Sequence, residues 1–198
     1  MLNFRNILPR GFSLVEMIVV IAITIVITGV VLANLPSLQS GASIDLVAQE
    51  VAVNIRSIQT YSSGTKSANS AILGVATSYG VRFDLASSRP NNVFYSWADL
   101  DENGKYTGPT EDQEKFILPG DFYFYQSMVC SSINNCTALN NLAVFYKRPN
   151  PEASFLSVGP MPDDTEFIKI IIASKRVTQR RAVEVYANGQ IAVRKQSI

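Results

Sequence analysis

Residues 11–16 read Gly11-Phe12-Ser13-Leu14-Val15-Glu16, and residues 17–35 behind them carry no charge. A helix of that length is about 28 Å long at 1.5 Å per residue, close to the roughly 30 Å hydrocarbon core of a bilayer. Thr24, Thr28, Gly29 and Asn34 soften the run, but hydroxyls can bond back to their own helix, so insertion is not forbidden. Residues 1–11 hold Arg5 and Arg10 and no acid. That asymmetry keeps the amino end in the cytoplasm and sends the carboxyl-terminal part outward. Glu16 needs an explanation, because a carboxylate in the middle of a span costs about 2.5–3.5 kcal/mol on insertion scales. A secretory signal peptide cut after Ala33, with Val31 and Ala33 as its small residues, is the rival reading. It gives Glu16 no role.

Composition narrows the function classes. The 198 residues include 17 Lys+Arg against 16 Asp+Glu, a balance that argues against a histone-like chain or an acidic tail. Charged residues make up 17%, and the mean hydropathy is +0.14, so part of the chain is more apolar than a soluble domain requires. There is no histidine, which removes Ser-His-Asp and Cys-His catalysis and every imidazole metal site. Neither a GxGxxG nor a Walker A sequence is present. No enzyme is expected.

The run from Gly11 to Glu16 followed by a long apolar helix resembles the processing site of type IV prepilins and type II secretion pseudopilins. The resemblance implies cleavage between Gly11 and Phe12 by the prepilin peptidase on the cytoplasmic side, then methylation of the new Phe12 amine. Glu16 falls where the family places its assembly glutamate. A buried carboxylate needs a buried cation, and the Phe12 amine of a neighbouring subunit can supply one while fixing the axial register.

Beyond the apolar run the chain reads as continued helix. Pro36 predicts a kink and Gly41 a second weak point. Ser43 reads as an N-cap with Asp45 in the first turn. Ile44, Val47, Ala48, Val51, Ile55 and Ile58 then form one apolar face, and Gly64 a stop. Residues 66–78 are a connector with room for a short strand. From there the period changes to two: Tyr79, Val81, Phe83 and Leu85 alternate with Gly80, Arg82 and Asp84. Further strands are expected at 93–97, 115–118, 122–126, 142–148, 155–158, 167–173, 182–187 and 191–195, the last two joined by the hairpin signal Asn188-Gly189. One amino-terminal helix followed only by strands means an α+β fold, a pilin-like helix packed on an antiparallel sheet. The expected segments are a leader (1–11), a transmembrane and assembly helix (12–35), its amphipathic continuation (36–64) and an extracytoplasmic β-rich domain (65–198). The helix end at 47–64, the turn after Trp97, Leu118-Pro119-Gly120 and the closing hairpin further resemble H-type minor pseudopilins and related minor pilins.

Three features of the outer domain could carry chemistry. Asp99, Asp101 and Asn103 at alternate positions, then Gly104, are how a calcium loop begins. The twelfth position is Thr110 rather than Glu, with Glu111, Asp112 and Glu114 as substitutes. The alternative is a plain turn at Asn103-Gly104 with solvated acids. Cys130 and Cys136, an even pair in an extracytoplasmic domain, suggest a disulfide, with two free thiols as the alternative. The third feature is charge: 99–121 holds seven acids, 165–198 seven bases. Of these, Lys175, Arg176, Arg180, Arg181, Arg194 and Lys195 could grip DNA phosphates, as a tip subunit in DNA uptake would need. They could equally meet the acidic stretch of the next subunit, or simply face solvent. Three functions therefore stand at this point: a pilus or pseudopilus subunit with sister subunits, prepilin peptidase and inner membrane as partners; a DNA-capturing tip subunit; and a membrane-anchored surface protein.

Overall fold

The computed structural model describes residues 12–64, 78–85, 91–150, 152–157, 159–176 and 178–196, without the side chains of 33–42. The leader with Gly11, most of the 66–78 connector, and the side chains of Pro36 and Gly41 lie outside that set. The chain divides into two compact units, 1–39 and 40–198.

Helix α1 runs Leu14–Ser63. It opens where the Ser13 carbonyl accepts the Met17 N–H at 3.2 Å. Every side chain from 12 to 32 is exposed, and Leu14–Leu32 is long and apolar enough to cross a membrane by length and composition. Thr24 Oγ1 donates to the carbonyls of Val20 and Ile21 at 2.6 and 3.0 Å, so its hydroxyl is satisfied without water. The N-cap expected at Ser43 is not there. Helix continues through it, because a single glycine costs only about 1 kcal/mol and an established helix propagates cooperatively.

Among the described residues the second unit holds ten strands in two sheets, all pairs antiparallel. The first has the order β3-β2-β1-β6-β7 and the second β10-β9-β8-β4-β5. The strands of the first are β1 (Ser78–Asp84), β2 (Val93–Ala98), β3 (Asp112–Ile117), β6 (Asn141–Lys147) and β7 (Ala153–Ser157). Those of the second are β4 (Phe122–Ser132), β5 (Asn135–Ala138), β8 (Phe167–Ser174), β9 (Arg180–Tyr186) and β10 (Ile191–Gln196). The single sheet expected from sequence is thus two, since the chain leaves the first after β3, returns for β6 and β7, and leaves again. The inner faces of both, through residues such as Val81, Phe94 and Val144, or Ile168, Val183 and Ile191, join the buried stripe of α1 in one core.

Polar ties fix the helix over that core. Arg56 donates to the Ile191 carbonyl at 3.0 Å and Gln59 to that of Gly189 at 3.1 Å. At the carboxyl end α1 has no basic residue in its last turn. Arg148 supplies one from the end of β6, donating to the Ser62 and Tyr61 carbonyls at 3.0 and 3.3 Å. These are carbonyls that a helix terminus otherwise leaves without partners.

The expected disulfide forms between Cys130 and Cys136, which face each other across β4 and β5. On the outer face of the first sheet Gly80 lies opposite Trp97. A Cβ at Gly80 would overlap the indole and sit 2.6 Å from the Val144 carbonyl oxygen. Gly80→Ala is therefore expected to cost about 3 kcal/mol by overpacking, read as a lower denaturation midpoint. Replacing both cysteines by serine should cost about 2 kcal/mol or less, because the closed loop is short.

Candidate functional site

Two places stand out: the amino-terminal helix and the loop joining β2 to β3. On the helix, Phe12 is 78% exposed and Glu16 lies one turn along, in the first turn of α1. Glu16 has no ion-pair partner among the described residues. Around them Leu14, Val15, Met17 and Ile18 are all more than half exposed. An apolar surface of this extent is stable only against lipid or other apolar helices.

The second place is built on the outer face of the first sheet. Trp97 is fully buried there, with Tyr106 from the loop edge-on at 5.8 Å between ring centroids. Arg82 lies over the Tyr95 and Tyr106 rings at 4.2 and 4.7 Å. It holds Asp112 through two bonds of 3.0 and 2.9 Å. Burial pushes the Tyr106 phenol up to about 12. Tyr106 thus ties loop 99–111 to the sheet, and of the loop's acids Asp99 and Glu111, at its two ends, are buried while Asp101 and Glu102 are exposed.

Asp99, at the end of β2, is inaccessible to solvent. Its two oxygens accept the N–H groups of Asn103 and Gly104 at 3.1 and 2.9 Å. Burial pushes its carboxyl above the ordinary carboxylate range, against the pull of those donors. Asp101 accepts the Asn103 amide at 2.7 Å. The turn passes through left-handed backbone at Glu102 and Gly104. A 3-10 turn, Pro109–Glu111, then brings back Glu111, whose Oε2 accepts the Thr107 N–H at 2.7 Å. One oxygen from each of Asp99, Asp101 and Glu111 lies within 4.8 Å of the others. Of the three substitutes named from sequence, the fold brings in Glu111; Asp112 is bound to Arg82 and Glu114 is exposed on β3.

The six bases considered for DNA do not form a free set. Arg181 is 6% exposed and binds Asp45 of α1, one of its two bonds measuring 2.9 Å. This corrects the sequence expectation. Position 181 shares the inner face of β9 with Val183 and Val185, so its guanidinium meets the helix, not solvent. Arg176 pairs with Asp121. Arg194 pairs with Glu184 at 2.8 Å, and Lys169 lies 3.5 Å from the same carboxylate. Arg180 covers the Tyr125 ring at 3.8 Å. Lys175 and Lys195 are exposed. Asp45 was legible as helix chemistry but not as this partner, because 136 residues separate it from Arg181.

Residues 9–33 match the prokaryotic N-terminal methylation motif, the type IV prepilin-like signature, and with the apolar helix Leu14–Leu32 it points to membrane anchoring. No curated protein and no solved structure matches the chain significantly. The fold is α+β and pilin-like, with the motif at the head of its helix.

The hydrogen bonds from Arg181 hold the Asp45 carboxyl below its ordinary value. A depressed carboxylate stabilises the fold above its unfolded pKa and loses that contribution as pH falls through the folded one. Because the Asp45 side chain is half exposed, Asp45→Asn should cost only about 1 kcal/mol at pH 7. Urea titrations should show that difference shrinking below about pH 3.5.

Proposed function

We propose that the chain is a structural subunit, of the minor H type, of a type IV pilus or type II secretion pseudopilus. The methylation motif at 9–33, laid on a helix whose described apolar side chains are uncovered, carries this reading. Before assembly the uncovered surface is matched by the lipid of the inner membrane; after assembly it is matched by the same helices of sister subunits. Prepilin peptidase cuts between Gly11 and Phe12, and the Phe12 amine is methylated. Glu16 then meets the Phe12 amine of a neighbour, which compensates a carboxylate that lipid would penalise. The β-rich domain lies outside the cytoplasmic membrane. The Asp/Asn/Gly-rich turn after Trp97 and the closing β9–β10 hairpin support the minor assignment. The internal pairing of Arg176, Arg181 and Arg194 favours a structural role over DNA capture.

Intact mass of membrane-extracted protein, expressed with and without a prepilin peptidase, tests the reading. The expected product begins at Phe12 and carries one methyl group, only when the peptidase is present. Glu16→Ala should still be cut but drop out of filaments. A chain left whole beside the peptidase, or cut after Ala33, would refute the proposal.

A further inference from the structure

We propose that the loop between β2 and β3 binds a calcium ion through Asp99, Asp101 and Glu111. This goes beyond the filament reading and does not depend on it. The Asn103 side chain serves the turn instead, its amide nitrogen donating to Asp101 and its oxygen accepting the Lys105 N–H, both at 2.7 Å. The three carboxylates share one small volume, yet none takes part in an ion pair among the described residues. The guanidinium on that face, Arg82, is committed to Asp112 and Asp84. Exposed acids could share such a volume, screened by water. Here Asp99 is 0% and Glu111 2% exposed.

Glu111 makes the independent argument. Its Oε2 is anchored by Thr107, but Oε1 is buried with no hydrogen-bond partner among the described residues. Buried carboxylate oxygens are nearly always satisfied, and an orphan beside two further carboxylates marks the place of a missing positive ligand. The other oxygens need not give up what they hold, because each carboxylate oxygen accepts more than one contact. The ligand chemistry is all oxygen, which suits hard cations and not zinc. Calcium accepts irregular shells of carboxylate, amide and carbonyl oxygens, whereas magnesium demands an octahedron and keeps several waters. With two carboxylates closed off from solvent, the loop favours the larger ion. Ligands at the first and third positions follow the familiar spacing. The closing carboxylate arrives at the thirteenth, one residue late, because the 3-10 turn Pro109–Glu111 re-aims it.

The test uses the full chain in detergent, stripped of metal with a chelator, and followed by calorimetric titration and thermal unfolding. Calcium should bind at one ion per chain with a dissociation constant of about 0.1–1 mM, the range of extracellular modules. About 10 mM calcium should then raise the unfolding midpoint by about 5 °C. Asp101→Asn and Glu111→Gln should each weaken binding about tenfold or more, while Glu114→Gln, on exposed β3, should change nothing. Asp101 is exposed, so its variant is expected to keep the fold, which circular dichroism checks. No midpoint shift in the wild type, an equal shift in both site variants, or an equal shift with magnesium alone would each overturn the assignment.

Discussion

The second unit depends on the burial of one helical stripe. Ile44, Val47, Ala48, Val51, Ala52, Ile55 and Ile58 are all 5% exposed or less, and both sheets close on them. Fully burying an aliphatic side chain of the Val or Ile kind stabilises by about 1.5–3 kcal/mol. The five large ones together therefore contribute on the order of 10 kcal/mol, comparable with the whole net stability of a typical domain. The polar ties of Arg56, Gln59, Arg148 and Asp45 are individually worth about 1 kcal/mol. They set the rotation and axial position of the helix over the sheets. They do not hold it there.

That division of labour explains why α1 changes character along its length. From Leu14 to Leu32 apolar side chains surround the helix and none is buried within the chain. From Ile44 onward they occupy one stripe, with Leu46 and Val53 as exposed exceptions. The first pattern needs an apolar surrounding on all sides, the second a partner on one side. The first sheet repeats the second pattern, but its outer face is not left to solvent. Gly80 makes room for Trp97, Tyr106 covers Trp97, and Arg82 bridges Tyr95, Tyr106 and Asp112. Tyr106 holds the loop to that face, and the two acids at the loop's ends, Asp99 and Glu111, are buried beside it while its middle stays exposed.

Much of this was legible in the sequence, for physical reasons that differ by element. The apolar run and the Glu16 anomaly needed only length and charge. The buried stripe followed from helical spacing, and eight of the nine expected strands begin within two residues of those observed because their alternation is clean. The expected strand at 115–118 starts three residues late. Its true first residues, Asp112, Gln113 and Glu114, are polar and edge-placed, and give no apolar signal. Strand β5 was missed, since Asn135-Cys136-Thr137-Ala138 has no run of β-branched residues and is held by pairing with β4 and by the disulfide. Strand β4 was read too short, because a register shift between Phe124 and Gln126 breaks its alternation. The partition into two sheets was not legible, as strand pairing over long separations leaves no local pattern. The same blindness hid the Asp45–Arg181 pair. In the β2–β3 loop the alternating acids were readable, but the choice among Glu111, Asp112 and Glu114 required knowing that Arg82 claims Asp112.

Charge gives the last step. With a formal net charge of +1, acids and bases can pair within the chain, and across the sheets they do so: Asp45 with Arg181, Asp112 with Arg82, Asp121 with Arg176, Glu184 with Lys169 and Arg194. Acids such as Glu50, Glu102 and Glu114 need no such partner because water solvates them. Two places escape both arrangements. Glu16 sits at the edge of an apolar span, where water is scarce, and Asp99 and Glu111 are buried at the two ends of the β2–β3 loop. Buried carboxylates are costly; backbone N–H donors offset part of that cost at Asp99 and Glu111, and a cation from outside the chain would offset more. In the proposed filament the first would be matched by the amine of a sister subunit, and in the proposed calcium site the second would be matched by the metal ion.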